Sequence, residues 1–201
     1  MIFFIGTTKI KLSFSFVAFI VLMIMLCEEN IVLFSLVSSF IHECGHLFFM
    51  FLSGDMPQSV SFTPFGIRID KANSSVVSYK KEALIALGGI IFNIFFSVLF
   101  LILYLCLGVN KFLILSAVNT VIAAVNAFPV SVLDCGRALR YALIVLKDDA
   151  SAEKYADTVS SVFIALFTGA TVAYTLFLGA NISLIGINLY LIFITVIKKW
   201  S

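Results

Sequence analysis

Apolar residues fall along this chain in six long runs, at about Leu12–Cys27, Ile31–Leu52, Ala83–Leu107, Phe112–Leu133, Val159–Gly179 and Ile182–Ile197. A membrane-spanning helix needs about 20 residues, with a working range of about 17–25. The four middle runs meet that length. The first and last are a little short and need a thin region or neighbouring residues. Backbone groups in lipid must be satisfied within their own segment, so all six are predicted as helices. Glu28 and Glu29 follow the first run without a small-residue cleavage site, which predicts a retained helix rather than a cleaved leader. Between the second and third runs, Ser59–Thr63 and Ile67–Asp70 alternate with period two around Pro64-Phe65-Gly66. That is a hairpin pattern, covering residues 58–71. Lys9–Phe16 alternates too, so a small sheet is expected beside the helices. Cys135–Lys147 has the pattern of a short amphipathic helix, followed by the polar run Asp148–Asp157.

Composition agrees. Of 201 residues, 62% are apolar and 12% charged, against about 45–50% and about 25% in soluble domains. This excludes a soluble globular protein, a disordered tail and a nucleic-acid binder. Four cysteines without CxxC spacing make neither a disulfide framework nor a structural zinc set. With a cytosolic N-terminus and six crossings, 12 of the 13 basic residues fall on the inner side, and only Lys111 falls outside. The positive-inside rule asks for that asymmetry. The expectation is an all-α polytopic membrane protein of the cell membrane, in one domain over residues 1–201. It has about six transmembrane helices, both termini in the cytosol, and a small membrane-associated hairpin or sheet on the cytosolic side.

The chain has two histidines, both in His42-Glu43-Cys44-Gly45-His46, inside the second apolar run. Positions i and i+4 share one helix face, so both imidazoles can reach one metal ion. Glu43 is placed to act as general base toward water activated there. A carboxylate in mid-membrane costs about 2.5–3.5 kcal/mol and signals function by default. Interhelical hydrogen bonds of about 0.6 kcal/mol each offset little of that. A catalytic zinc takes three protein ligands, and there is no third histidine. Nine of the 11 acidic residues lie in loops or at segment ends; Glu43 and Asp134 remain. Asp134 is therefore the expected third ligand. The second and fourth runs cross in the same direction, which puts Asp134 and the His42–His46 motif at similar depth near the cytosolic side. Pro129 interrupts the fourth run, since it removes a helix hydrogen bond. Residues Asn126–Asp134 are thus expected to leave helical form and line a water-filled cavity.

These residues resemble the site-2 protease family of intramembrane zinc metalloproteases. The likeness rests on the His42–His46 motif and on Asn126, Pro129, Leu133 and Asp134 of Asn126-Ala-Phe-Pro129-Val-Ser-Val-Leu133-Asp134-Cys135-Gly136. Cys135 stands where the family has Gly. A weaker match is Gly89 and Asn93 in Gly88-Gly89-Ile90-Ile91-Phe92-Asn93, with Ile90 in place of the family's Pro. The Pro64-Phe65-Gly66 hairpin and the six-run layout look most like the stage IV sporulation protein FB branch. The length leaves no room for a PDZ or C-terminal regulatory domain. The resemblance implies one Zn2+ per chain on His42, His46 and Asp134, with Glu43 activating water. It implies hydrolysis of a peptide bond in or near the membrane segment of a membrane-tethered protein, such as a sigma or anti-sigma factor in sporulation or signalling. Asn93 and Asn126 become candidate substrate-binding residues, with interhelical hydrogen bonding the plainer role. Membrane lipid and the tethered substrate are the implied partners; no nucleic acid is.

Other roles stay open at this point. Asn119 and Asn188 fit interhelical hydrogen bonding. Cys44 and Cys135 adjoin the expected ligands, and a thiolate binds zinc, but Cys44 turns off the ligand face. The hairpin offers either an edge for strand addition by an extended substrate or a simple connector. The alternative function is a transmembrane zinc or divalent-metal transporter. Such proteins can carry His-Glu-x-Pro-His-Glu; here Gly45 and Leu47 replace the Pro and the second Glu. A catalytically dead scaffold is the third.

Overall fold

The computed structural model describes residues 2–5, 8–26, 29–54, 57–63, 66–71 and 78–200. In chain order these form β1 (Ile2–Ile5), β2 (Thr8–Leu12), α1 (Phe14–Leu26), α2 (Glu29–Leu52), β3 (Pro57–Thr63), β4 (Gly66–Lys71), α3 (Tyr79–Leu107), α4 (Asn110–Asn126), α5 (Asp134–Leu146), α6 (Asp149–Leu178) and α7 (Ile182–Trp200). The strands make one sheet in the order β1-β2-β3-β4, with β2 parallel to β3 and the outer pairs antiparallel. In β3 and β4, Ser61 faces Arg68 and Phe62 faces Ile67. Pro64 and Phe65, at the turn of the expected hairpin, lie outside the described residues.

Among the described residues, three helices are long and apolar enough to cross a membrane: Ile31–Leu52 within α2, Tyr79–Leu107 and Asp149–Leu178. The fold is mostly helical and is that of an integral membrane protein. Among the described residues the expected count of six crossings is not reached by length. The first apolar run loses Leu12 to β2, and α1 keeps 13 residues. The helix of the fourth run, α4, ends at Asn126 after 17 residues, because Pro129 cannot continue it. In the other direction, α6 begins at Asp149, ten residues before the apolar run it carries. Asp148 caps it, accepting from the Ser151 N–H at 3.0 Å, a bond that holds the Asp148 carboxyl below its usual range. Ala152 and Ala156, four apart, are buried beneath an otherwise exposed first stretch.

The polarity of the fold is inverted relative to a water-soluble one. Phe95, Leu105 and Leu176 are exposed, while Ser38, Asn93, Ser97, Ser116 and Asn119 are buried. Without a hydrophobic drive between helices in lipid, close packing and polar contacts hold them together. Ser97 of α3 meets Thr120 of α4 at 2.7 Å and donates to the Ser116 carbonyl at 3.0 Å. Asn119 of α4 donates to Ser38 of α2 at 2.8 Å.

Helices α2 and α3 touch through backbone at Gly45 and Gly88. A Cβ on Gly45 would land on the Gly88 carbonyl oxygen, and one on Gly88 would sit 2.7 Å from the Gly45 oxygen. Backbone cannot swing aside as a side chain can. Gly45→Ala is therefore expected to destabilise the fold by about 1–3 kcal/mol, the usual range for overpacking. Thermal unfolding in detergent checks this; an unchanged midpoint would contradict the close approach.

Candidate metal centre

The i, i+4 spacing in α2 puts His42 and His46 on one face, their rings edge to face with centroids 4.8 Å apart. That face meets α3 at its smallest residue. A Cβ on Gly89 would lie 2.5 Å from His42 Cε1 and 2.6 Å from Nε2 of either ring. Only glycine there lets both imidazoles fit under α3. His46 Nδ1 donates to the Ile85 carbonyl at 2.8 Å, which fixes its ring and leaves Nε2 facing inward.

The third member arrives from the other end of the chain. After α4 stops at Asn126, residues 127–133 run as turns, and α5 restarts at Asp134. Val130 and Leu133 seat this segment against Leu191 of α7, with Phe128 packed on Phe163 and Phe167 of α6. The Ser131 N–H donates to Ser160 at 3.2 Å. A Cβ on Gly136 would strike the Val130 carbonyl oxygen, so the start of α5 lies directly against the loop. The result is a buried Asp134 carboxylate aimed at α2.

Its Oδ2 lies 2.7 Å from His42 Nε2 and 3.2 Å from His46 Nε2, and the two Nε2 atoms are 3.2 Å apart. All three residues are buried. Ligands about 2 Å from a tetrahedral ion sit about 3.3 Å from each other. Two edges of this triangle match, and the third is shorter because the groups hydrogen-bond directly. His42, His46 and Asp134 can thus hold a metal ion, and they form the one such group among the described residues.

Glu43, next to His42, is half-buried and within electrostatic reach of His46, His42 and Asp134. Arg137, half-exposed, comes within 3.9 Å of Asp134 Oδ1. The sequence did not single it out for the site; its position one turn after Asp134 was the available signal. Burial, with the neighbouring Asp134 carboxylate, pushes the Cys135 thiol up. The two asparagines part company. Asn126 is half-buried at the end of α4, its amide donating to the Ile122 carbonyl at 3.0 Å. Asn93 is fully buried and neither of its amide atoms has a partner.

No protein-family model and no curated protein matches the chain. A solved structure does: a site-2 protease from Methanocaldococcus jannaschii superposes with a TM-score of 0.64, at 23% identity, over 96% of this chain and 92% of that one. The likeness at that identity is one of fold, and the chain therefore has the fold of that site-2 protease.

Proposed function

We propose that the chain is an intramembrane zinc metalloprotease of the site-2 protease type. It would hydrolyse a peptide bond in or near the membrane segment of a membrane-tethered protein. The observation that carries this is the meeting of His42 Nε2, His46 Nε2 and Asp134 Oδ2 within 3.2 Å, with Glu43 beside them, inside an apolar fold. Two neutral imidazoles and one carboxylate, with a further position free, suit Zn2+. When bound, Zn2+ supplies a Lewis acid that polarises the scissile carbonyl and makes water a nucleophile at neutral pH.

The remaining work falls to the chain. Glu43 takes a proton from the attacking water on its carboxylate and returns it to the leaving amine. The Ile85 carbonyl holds the His46 ring in place. A helical substrate hides its peptide bonds, so it must be presented extended. β4 lies at an edge of the sheet among the described strands, a place where such a segment can add as a strand. In a six-crossing arrangement, the distribution of basic residues supports a site near the cytosolic face, with both termini and the sheet on that side. A sporulation sigma factor or an anti-sigma factor is a fitting substrate class. A transporter needs further ligands to pass an ion along, and the described residues offer the one group.

The test is co-expression with tethered candidate substrates, followed by cleavage assays on purified protein in detergent. Stripping the metal with a chelator should abolish cleavage, and Zn2+ should restore it. Cleavage that persists in fully metal-free protein would sink the reading.

A further inference from the structure

The second nitrogen of a metal-bound histidine needs a hydrogen-bond acceptor, which fixes the ring and its tautomer. His46 has one in the Ile85 carbonyl. His42 has none: its Nδ1 is buried and without a partner. Once Nε2 is given to a metal, the ring proton resides on Nδ1, and an orphaned buried N–H is costly.

Other unpartnered polar atoms lie in the same layer. α2 and α3 run antiparallel, with His46 beside Ile85 and His42 beside Gly89. Asn93 is one turn beyond Gly89, and Ser38 is one turn before His42, so both lie on the same side of the metal centre. Helical side chains lean toward their own N-terminus. In antiparallel helices that tips His42 toward Asn93 and Asn93 toward His42. Asn119 reaches this layer from α4, bound to Ser38 through its amide nitrogen. Its Oδ1 is buried and unpartnered, as are Nδ2 and Oδ1 of Asn93. Three helices thus carry unsatisfied donors and acceptors in the layer within one turn of His42. Both asparagines have no exposed surface, so neither is presented to a peptide.

We propose that Asn93 is a positioning residue of the metal centre, joined to His42 by one buried water that Asn119 also binds. The water accepts from His42 Nδ1–H and Asn93 Nδ2–H, and donates to Oδ1 of Asn93 and of Asn119. Such waters make two to four hydrogen bonds to otherwise unsatisfied groups. The inference rests on the metal reading of His42, His46 and Asp134.

The experiment is titration of metal-free protein with Zn2+ against a chromophoric chelator. Asn93→Leu should bind Zn2+ about 10–100-fold more weakly, the usual effect of losing a ligand's hydrogen-bond partner. Asn93→Asp keeps two acceptor oxygens and should bind nearly as wild type. Ser97→Ala, one turn further along α3, removes a buried polar contact remote from the metal and should leave affinity unchanged. Equal binding by Asn93→Leu, or equal weakening by Ser97→Ala, would overturn the proposal. Should Asn93→Leu not fold, 15N-histidine NMR of Zn2+-loaded wild type decides. A His42 Nδ1 proton protected from exchange and in contact with water supports the bridge, and one exchanging freely with bulk overturns it. Wild-type protein that binds no Zn2+ would overturn this inference and the metal reading together; wild-type binding matched by Asn93→Leu overturns this inference alone.

Discussion

Glu43→Gln should retain Zn2+ and lose cleavage of a tethered substrate by at least about 100-fold, the lower range for general-base catalysis. Gln has the shape of Glu but no carboxylate to take a proton. None of the three donor atoms belongs to Glu43, whose side chain is half-buried beside His42. Metal content should therefore stay near one per chain while turnover falls. The measurement pairs metal analysis of purified protein with cleavage in the co-expression system. A Glu43→Gln protein that cleaves at the wild-type rate would remove Glu43 from the mechanism. One that loses metal as well would make it a ligand instead.

Asp134→Ala acts on the other half of the centre. It removes the only negatively charged donor of the three and leaves two neutral imidazoles. Zn2+ affinity should fall by more than about 100-fold, beyond the range for loss of a mere hydrogen-bond partner. A second effect appears without metal. The Asp134–His42 bond links residues 92 apart in sequence, and buried hydrogen bonds to charged groups contribute about 1.5–3 kcal/mol. The metal-free variant should thus melt earlier than metal-free wild type. Zn2+ titration and thermal unfolding check the two separately, and unchanged affinity would exclude Asp134 as a ligand.

Much of the site could be read from residue types and spacing. The two histidines occupy one helix face by periodicity, and Asp134 stood out because every other acid except Glu43 lies in a loop or at a segment end. Pro129 marked the break after Asn126. What escaped did so for physical reasons. Ile2–Ile5 is four apolar residues without alternation, and such a run does not tell strand from helix. The polar run after Asp148 hid ten helical residues, because its buried face is made of alanines rather than large apolar side chains. Alanine is the best helix former, yet it adds little to an apolar pattern. The closeness of Gly45 to Gly88, and of Gly89 to both imidazoles, is a tertiary fact. The sequence shows glycines, not which backbone they meet. Asn93 was legible as a polar residue in an apolar helix, but its layer with Asn119 and His42 depends on the antiparallel register of α2 and α3.

The loop that ends at Asp134 is anchored on α6 and α7, whereas both histidines belong to α2 and rest on α3. During biosynthesis the two imidazoles emerge first, and 87 residues separate His46 from Asp134 by their numbering. On the proposed ligand set, a nascent chain with only the pair would hold a metal ion weakly, and firm capture would wait until α6 and α7 have seated the loop. A chain cut before α6 would keep both imidazoles and Asp134 but lack the surfaces of α6 and α7 that seat the loop.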